Sequence, residues 1–282
     1  MLLHGMHGLG DNLYQRCVIR EVPGDVILMT PWPQIYADLP IRCLPAKSTL
    51  RTQAKNERRS VFSRMLVARP AKRWHYVSSD APIPQALAAQ FGVTPRVFDG
   101  PPVVAPSREP YIVVRPATIR KEWRADSRNP HAGYIDRAVQ ALRDRFRIVS
   151  VADLRDGDEW PSEPLPYADE SFHAGELPVE QLLGLVAGAA GVVGGVGWAV
   201  PAAVAYRVPM LLLFGGWGKH NGPARIFGRP MDISQIDQVL PDAFCMCSSY
   251  AHACDKRISN IDARVDAFAL RLAQGRAPAM AA

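Results

Sequence analysis

Residues 7–16 read H-G-L-G-D-N-L-Y-Q-R and follow a short apolar start, residues 1–6. The pattern is a strand that delivers two glycines and then an acid to the mouth of a helix. Gly8 and Gly10 permit a sharp turn and close approach of a ligand to the backbone. Asp11 is expected at or near the helix N-cap, with Asn12 beside it. In an open parallel sheet this point is the carboxyl edge of the first strand, where ligands bind. An acid there either caps the helix or does chemistry. The glycines run G-x-x-G-x-G, which is not a dinucleotide fingerprint, and no Lys-Ser or Lys-Thr follows to make a Walker loop.

Outward from this stretch the chain alternates between strand and helix. Residues 26–30 (V-I-L-M-T) read as a buried strand, 34–38 as a brief helix led by proline, 41–44 and 74–78 as strands, and 84–91 as a helix. Residues 100–110 hold four prolines in eleven positions and read as an interdomain linker. A second alternating series follows: strand 111–115, helix 134–146, strand 147–154, helix 178–190, strand 191–195, short helix 201–206 and strand 210–214. Residues 257–274 form an amphipathic helix with Ile261, Val265, Phe268, Leu270 and Leu272 as its apolar residues. The expected class is α/β, with two doubly wound Rossmann-like domains facing a cleft and the first domain reduced.

A chain of 282 residues with 48% hydrophobic content can fill such a core. It holds no run of 18 apolar residues that would span a membrane. Its opening lacks a basic segment and is too short for a signal peptide. A cytoplasmic location is expected, with peripheral contact at the inner face of the membrane as an option. The net charge is +6. Residues 47–73 carry nine Lys or Arg against one acid, Glu57. That run is a solvated face or a surface for an anionic partner, such as nucleic acid or a phosphorylated glycan.

Four further stretches combine groups that bind anions or sugars. Strand 111–115 runs into R-P-A-T-I-R-K-E-W, where Arg115, Thr118, Arg120 and Lys121, with Arg124 and Arg128 further on, suit a diphosphate. His173 and Glu176 flank a glycine before a helix, and a carboxylate there can take hydrogen bonds from ribose hydroxyls. The turn around Gly195, Gly197 and Trp198 offers backbone N–H groups at a helix N-terminus. His220 and Asn221 follow the strand M-L-L-L-F in a glycine-rich loop. Separately, Cys245, Cys247, His252 and Cys254 match the ligand count of a structural zinc site. Their spacing is not that of a standard finger, and free cysteines or a local disulfide remain alternatives.

Three of these stretches, in order, resemble glycosyltransferase family 9, the ADP-heptose–lipopolysaccharide heptosyltransferases of the two-domain GT-B fold. H-G-L-G-D is similar to the family's opening G-x-L-G-D. R-P-A-T-I-R-K-E-W is similar to its loop ending in Lys-x-Trp or Lys-Trp. Residues 185–215 are similar to its helix–strand–helix–strand core ending in Leu-Phe-Gly. The resemblance implies that Asp11 is the catalytic base, that Lys121 meets the donor phosphates, and that transfer is inverting with no catalytic metal or other cofactor. The family's second-domain Asp and His are absent: Val196 or Gly195 stands at the first position, and Pro201 or Val200 at the second. With the resemblance, residues 1–105 become an acceptor-side domain and 106–255 a nucleotide-sugar domain. Residues 256–282 become a helix and tail packing back toward the first domain.

The expected activity is transfer of a sugar from a nucleotide-diphosphate sugar to an acceptor hydroxyl on a surface glycan or lipid-linked saccharide. Asn12, Tyr14, Arg16, Trp32, Arg51 and Lys55 are the acceptor-side candidates. Gly8, Gly10, Arg115, Thr118, Arg120, Lys121, Gly195, Gly197, Trp198, His220 and Asn221 are the donor-side ones. Two alternatives remain: a nucleic-acid base glycosyltransferase, as in viral DNA modification, and a non-catalytic module that binds a nucleotide sugar or nucleic acid.

Overall fold

The structure is a computed structural model that describes residues 1–46, 72–73, 80–121, 124, 126–249 and 251–274. The expected strand 74–78 and the basic candidates Arg51 and Lys55 lie outside the described residues.

The first half comprises β1 (Leu2–His4), α1 (Leu9–Ile19), β2 (Ile27–Thr30), a 3-10 turn (Pro33–Tyr36), β3 (Arg42–Pro45), β4 (Lys72–Arg73) and α2 (Ile83–Ala89). Its four strands are parallel in the order β3-β2-β1-β4. The chain winds outward from β1 to β3 and then returns to β1's other side. The topological switch therefore falls beside β1, and the loop leaving β1 is residues 5–8.

The second half begins with β5 (Tyr111–Arg115) and β6 (Thr118–Arg120). Then come α3 (Ala132–Leu142), β7 (Arg147–Val151), β8 (Glu159–Pro161), β9 (Glu170–Phe172), α4 (Val179–Ala187), β10 (Gly191–Gly195), α5 (Ala199–Ala205) and β11 (Met210–Leu213). The last elements are α6 (Gly218–Asn221), α7 (Pro223–Ile226), β12 (Ile236–Val239) and α8 (Ile261–Gln274). Six parallel strands run β12-β11-β10-β5-β7-β9, so the second switch lies between β5 and β10. Ile112, Val113 and Val114 are all fully buried, as a strand covered on both faces requires. One face packs with α4 and α5 and joins Leu3, Leu9 and Leu13 of the first half in a single core. The other face carries Ile112, Val114, Val193 and Leu211 against α3 and α8.

That second core corrects the reading of the C-terminal helix. α8 does not return to the first half; it lies on α3 and β12. Phe268 and Leu272 give it an apolar stripe matched to the open face of the large sheet. Leu270, read as part of the stripe, is 58% exposed, because it sits on the opposite side of the helix. The antiparallel pair β6–β8 and the edge strands β9 and β12 were not foreseen; each is only three or four residues long.

The halves meet through α1, which packs on both α2 and α5. A Cβ on Gly10 would stand 3.0 Å from Trp198 Cα, so glycine lets the two backbones approach. Tyr14 Oη donates to Ile226 O at 3.0 Å, adding a polar tie from α1 to α7. The linker is held as well. Arg16, fully buried, makes a forked pair with Asp38 and reaches Asp99, while Arg20 also grips Asp99. Beyond Asp99, Tyr206 Oη donates to Pro101 O at 2.9 Å.

Arg16→Met should therefore destabilise the protein by roughly 3 kcal/mol, since it takes the fork from Asp38, leaves Asp99 to Arg20 alone and strands the buried Ile35 carbonyl. Urea denaturation would check it, and a shift below about 1 kcal/mol would mean the exposed sides of Asp38 and Asp99 are rescued by water.

Candidate active site in the cleft

The two switch points face one another, and between them lies a cavity of about 1180 Å³, counting its open mouth. The first half lines it with Gly8, Leu9, Gly10, Asp11, Tyr14 and Ile83. The second half contributes four segments: residues 115–118 with Arg120 at the end of β5 and in β6, residues 128–130 before α3, residues 195–198 after β10, and Asn221 with Ile226 from α6 and α7.

Asp11 is the third residue of α1 and not its cap; the helix starts at Leu9 and its cap position is Gly8. A Cβ at Gly8 would stand 2.5 Å from Asp11 Oδ2, so the carboxylate folds back over that glycine. The loop beneath is fixed from inside. Asn12 Nδ2 donates to Met6 O and Gly8 O at 2.8 and 2.7 Å, and its Oδ1 accepts from Thr30 and Tyr36. Gln15 Oε1 takes the Met6 N–H, and Trp32 Nε1 donates to His7 O. These bonds satisfy the buried polar groups of a loop that would otherwise be costly to enclose. They also correct three acceptor candidates. Asn12, Arg16 and Trp32 are each fully buried and face inward. Tyr14 does line the cavity, but its hydroxyl is engaged, and burial, with Asp11's charge adding to it, pushes its pKa well up.

Opposite Asp11 stand Arg115, Arg120 and Arg128. Glu159, at the start of β8, anchors two of them, with Arg115 at 2.6 Å and Arg120 at 3.1 Å. Thr118 Oγ1 donates to the same carboxylate at 2.7 Å and accepts from Arg115 at 2.9 Å. Burial opposes the Glu159 charge, yet Arg115, Arg120 and Thr118 outweigh it and hold the pKa below the usual carboxylate range. One anion among three guanidiniums leaves the wall positive. Arg128 feels this most: burial, then repulsion from Arg115 and Arg120, pushes its pKa down to about 10. Glu159 and Asp11 act on it in the other direction. An anion entering the cavity would relieve that repulsion.

Several donor-side candidates fall elsewhere. Lys121 is exposed at the end of β6 and does not line the cavity; its neighbour Arg120 does. His220 is exposed on α6 with its ring edge-on to Trp217, while Asn221, one residue on, reaches the cavity. His173 and Glu176 lie beyond the lining. His173 Nε2 pairs with Ser150 Oγ at 2.9 Å, and burial, then the Arg115 charge, lowers its pKa. Glu176 accepts from the Ala174 N–H at 2.9 Å. Gly8, Gly10, Arg115, Thr118, Arg120, Gly195, Gly197 and Trp198 all line the cavity. Arg128, noted only as a trailing basic residue, and Glu159 complete the charged wall. Glu159 lies 44 positions from Arg115, and no local motif marks it.

Cys245, Cys247, His252 and Cys254 converge in the loop between β12 and α8, with their ligand atoms all within 4.8 Å of one another. Cys247 Sγ and Cys254 Sγ are 3.6 Å apart. His252 Nδ1 stands 3.6 Å from Cys245 Sγ and 3.3 Å from Cys254 Sγ. A tetrahedral zinc site, with Zn–S about 2.3 Å and Zn–N about 2.0 Å, implies edges of about 3.8 Å between sulfurs and about 3.5 Å from sulfur to nitrogen.

No protein-family model matches the chain, and no curated protein matches its sequence. Solved structures do match. The dodecameric iron-containing heptosyltransferase TibC of enterotoxigenic E. coli H10407, in complex with ADP-D-β-D-heptose, superposes with a TM-score of 0.63 at 14% identity. The match covers 97% of this chain and 76% of that one. E. coli ADP-heptose lps heptosyltransferase II gives a TM-score of 0.53 at 14% identity, over 96% of this chain and 98% of that chain. A family 9 glycosyl transferase from Veillonella parvula DSM 2008 gives 0.51 at 10% identity, over 84% and 85%. The fold is that of the heptosyltransferases. The resemblance carried by the three sequence motifs thus extends to the whole architecture, with both halves covered.

The Glu159 geometry sets a pH dependence. Its pKa is lowered on folding, so its stabilisation is present above the unfolded value of about 4.3 and is lost as pH falls through the folded value. Glu159→Gln should cost roughly 3 kcal/mol at pH 7, and the gap to the native protein should shrink in acid. Urea midpoints between neutral pH and about pH 3 would measure it; a gap independent of pH would mean that the carboxylate charge is not what holds the arginines.

Proposed function

We propose that this protein is an inverting glycosyltransferase that moves a sugar from a nucleotide-diphosphate sugar to an acceptor hydroxyl. The observation that carries the reading is the opposition of Asp11 to Arg115, Arg120 and Arg128 across one cavity. Displacement at an anomeric carbon needs a base on one face and charge neutralisation of the leaving diphosphate on the other. Asp11 takes the proton of the acceptor hydroxyl, whose oxygen attacks the anomeric carbon. The sugar–phosphate bond breaks on the far side, and the diphosphate departs with its charge held by the guanidiniums and the Thr118 region. The positive wall is built before the ligand arrives, because Glu159 fixes Arg115 and Arg120 and little has to reorganise during the reaction. The three arginines supply the countercharge that a divalent ion supplies in other diphosphate sites, which supports a metal-independent step.

TibC was solved with ADP-D-β-D-heptose, and an ADP-sugar is the donor tested first. The N–H groups at residues 195–198 suit phosphate oxygens, with Trp198 beside them. His173 and Glu176, further along the same carboxyl edge of the large sheet, suit the nucleoside. The acceptor proposed is a hydroxyl-bearing surface or lipid-linked saccharide, used inside the cell. The domain roles follow: the first half presents the acceptor and the second binds the donor.

The loop of Cys245, Cys247, His252 and Cys254 carries a structural metal in this reading. Three thiolates and an imidazole at tetrahedral spacing suit zinc or iron, and TibC is iron-containing. The ligands stand outside the cavity lining, so the ion's part is to hold the loop.

Asp11→Asn should lower transfer by about 10²–10⁴-fold while leaving ADP affinity intact, as loss of a general base does. Arg128→Ala should do the reverse first, weakening ADP by about tenfold, as expected when a charge-assisted contact is lost. Calorimetry and a coupled assay for nucleotide release separate the two effects. Transfer at native rate by Asp11→Asn would remove the base assignment. Elemental analysis of the purified protein should find one metal ion per chain, lost in Cys254→Ser.

A further inference from the structure

The Cys/His loop is not an isolated ornament on the far side of the molecule. It touches the two loops that bring Arg128 and Asn221 to the cavity. Ser127, next to Arg128, donates from Oγ to Ser249 O at 3.0 Å. Lys256, two residues after the last ligand, donates to Asp126 O at 2.6 Å. On the other side, Gly218 N donates to Cys245 O at 2.9 Å, and Trp217 Nε1 donates to Ser248 O at 3.0 Å. A Cβ at Gly216 would overlap Cys254 Sγ, so the ligand sulfur is seated directly on that loop. The two supported loops are themselves joined, Gly215 N to Arg128 O at 3.2 Å and Gly216 N to Ser127 O at 2.5 Å.

Two features show that this arrangement is held from outside. Trp217 has φ of 57°, in the left-handed region, which a bulky residue adopts only when its surroundings enforce it. Its indole is pinned by the Ser248 carbonyl of the Cys/His loop. The supporting loop, between β12 and α8, has no helix or strand of its own among the described residues. A long loop without internal structure needs another constraint to hold a shape. Four ligands gathered around one point are such a constraint.

We propose that ligation at Cys245, Cys247, His252 and Cys254 sets the diphosphate pocket, so that metal occupancy and donor affinity are coupled. This rests on the metal reading and the donor-site reading above. The ion orders the loop. The loop fixes Ser127 and Trp217, and these hold Arg128 and Asn221 at the cavity. Coupling between two sites is reciprocal, so a diphosphate in the pocket must also retain the metal.

The experiment uses the full chain with ADP as probe. ADP affinity is measured by calorimetry in the metal-loaded protein, in protein stripped with a chelator, and in Ser127→Ala, whose metal content is measured alongside. Stripping should weaken ADP by about tenfold, within the usual range of site-to-site coupling. Ser127→Ala should weaken it several-fold at full metal content, which a merely local metal role would not do. Saturating ADP should slow capture of the metal by a chromophoric chelator. Should stripping unfold the chain, Ser127→Ala and the capture rate carry the test. Unchanged ADP affinity in Ser127→Ala together with a capture rate indifferent to ADP would overturn the coupling alone. Metal-loaded protein that does not bind ADP would overturn it together with the donor site. Protein that binds ADP but holds no metal would overturn it together with the metal reading.

Discussion

The site depends on one contact, the close passage of α1 over the start of α5 at Gly10 and Trp198. Each half of the chain builds its own parallel sheet with its own switch point. Neither switch point alone contains an acid opposite cations. Glycine at position 10 lets the N-terminal turn of α1 come down on the backbone of the 195–198 turn, and Asp11 is carried with it. The ties of Tyr14 to Ile226, of Arg16 and Arg20 to Asp99, and of Tyr206 to Pro101 hold α1 and the linker in that position. A buried arginine with two acidic partners is an expensive way to stabilise a fold, since desolvation offsets much of the attraction. Its use here is positional: the hydrogen bonds are directional, and they fix where α1 lies.

The cation wall follows a second logic. Arg115 and Arg120 are held rigid by a carboxylate that they outnumber, while Arg128 stands beside them under repulsion. Three guanidiniums against the one Glu159 carboxylate leave that wall net positive, which suits an anionic ligand. Hence the burial of Arg128 and the anchoring of its neighbours are one design. The loops that carry Arg128 must then be supported from behind, which is where the Cys/His loop sits.

Much of this was legible in the sequence where the signal is local. The strand–glycine–acid–helix of residues 1–19 reads correctly because an apolar run followed by glycines has few other foldings. The large sheet's central strands read correctly because strands buried on both faces are almost wholly apolar. What failed was the assignment of polar residues to a face. Lys121 and Arg120 are adjacent and both basic, yet β6 ends at Arg120, which lines the cavity, and Lys121 just beyond it is exposed. The same one-residue step separates His220 from Asn221. Asn12, Arg16 and Trp32 were acceptor-side candidates because amides, guanidiniums and indoles can contact a sugar. Here they serve a buried network, which only tertiary packing reveals. Glu159 was invisible because its partners come from another strand far away in sequence.

The division of labour across the cleft narrows the chemistry further. Among the described residues, the first half gives the cavity two groups with an ionisable proton, Asp11 and Tyr14. Tyr14 is excluded as a base. Its hydroxyl already donates to Ile226, and burial beside Asp11 makes its deprotonation harder still. The opposite wall holds arginines, whose guanidiniums are already protonated and cannot accept another proton. In the proposed transfer, the acceptor's proton therefore has one destination. That destination lies on the first turn of α1. The gain must come from proximity, with the acceptor oxygen held between Asp11 and the anomeric carbon. A rigidly placed α1 is what such a mechanism demands, and the contact at Gly10 provides it.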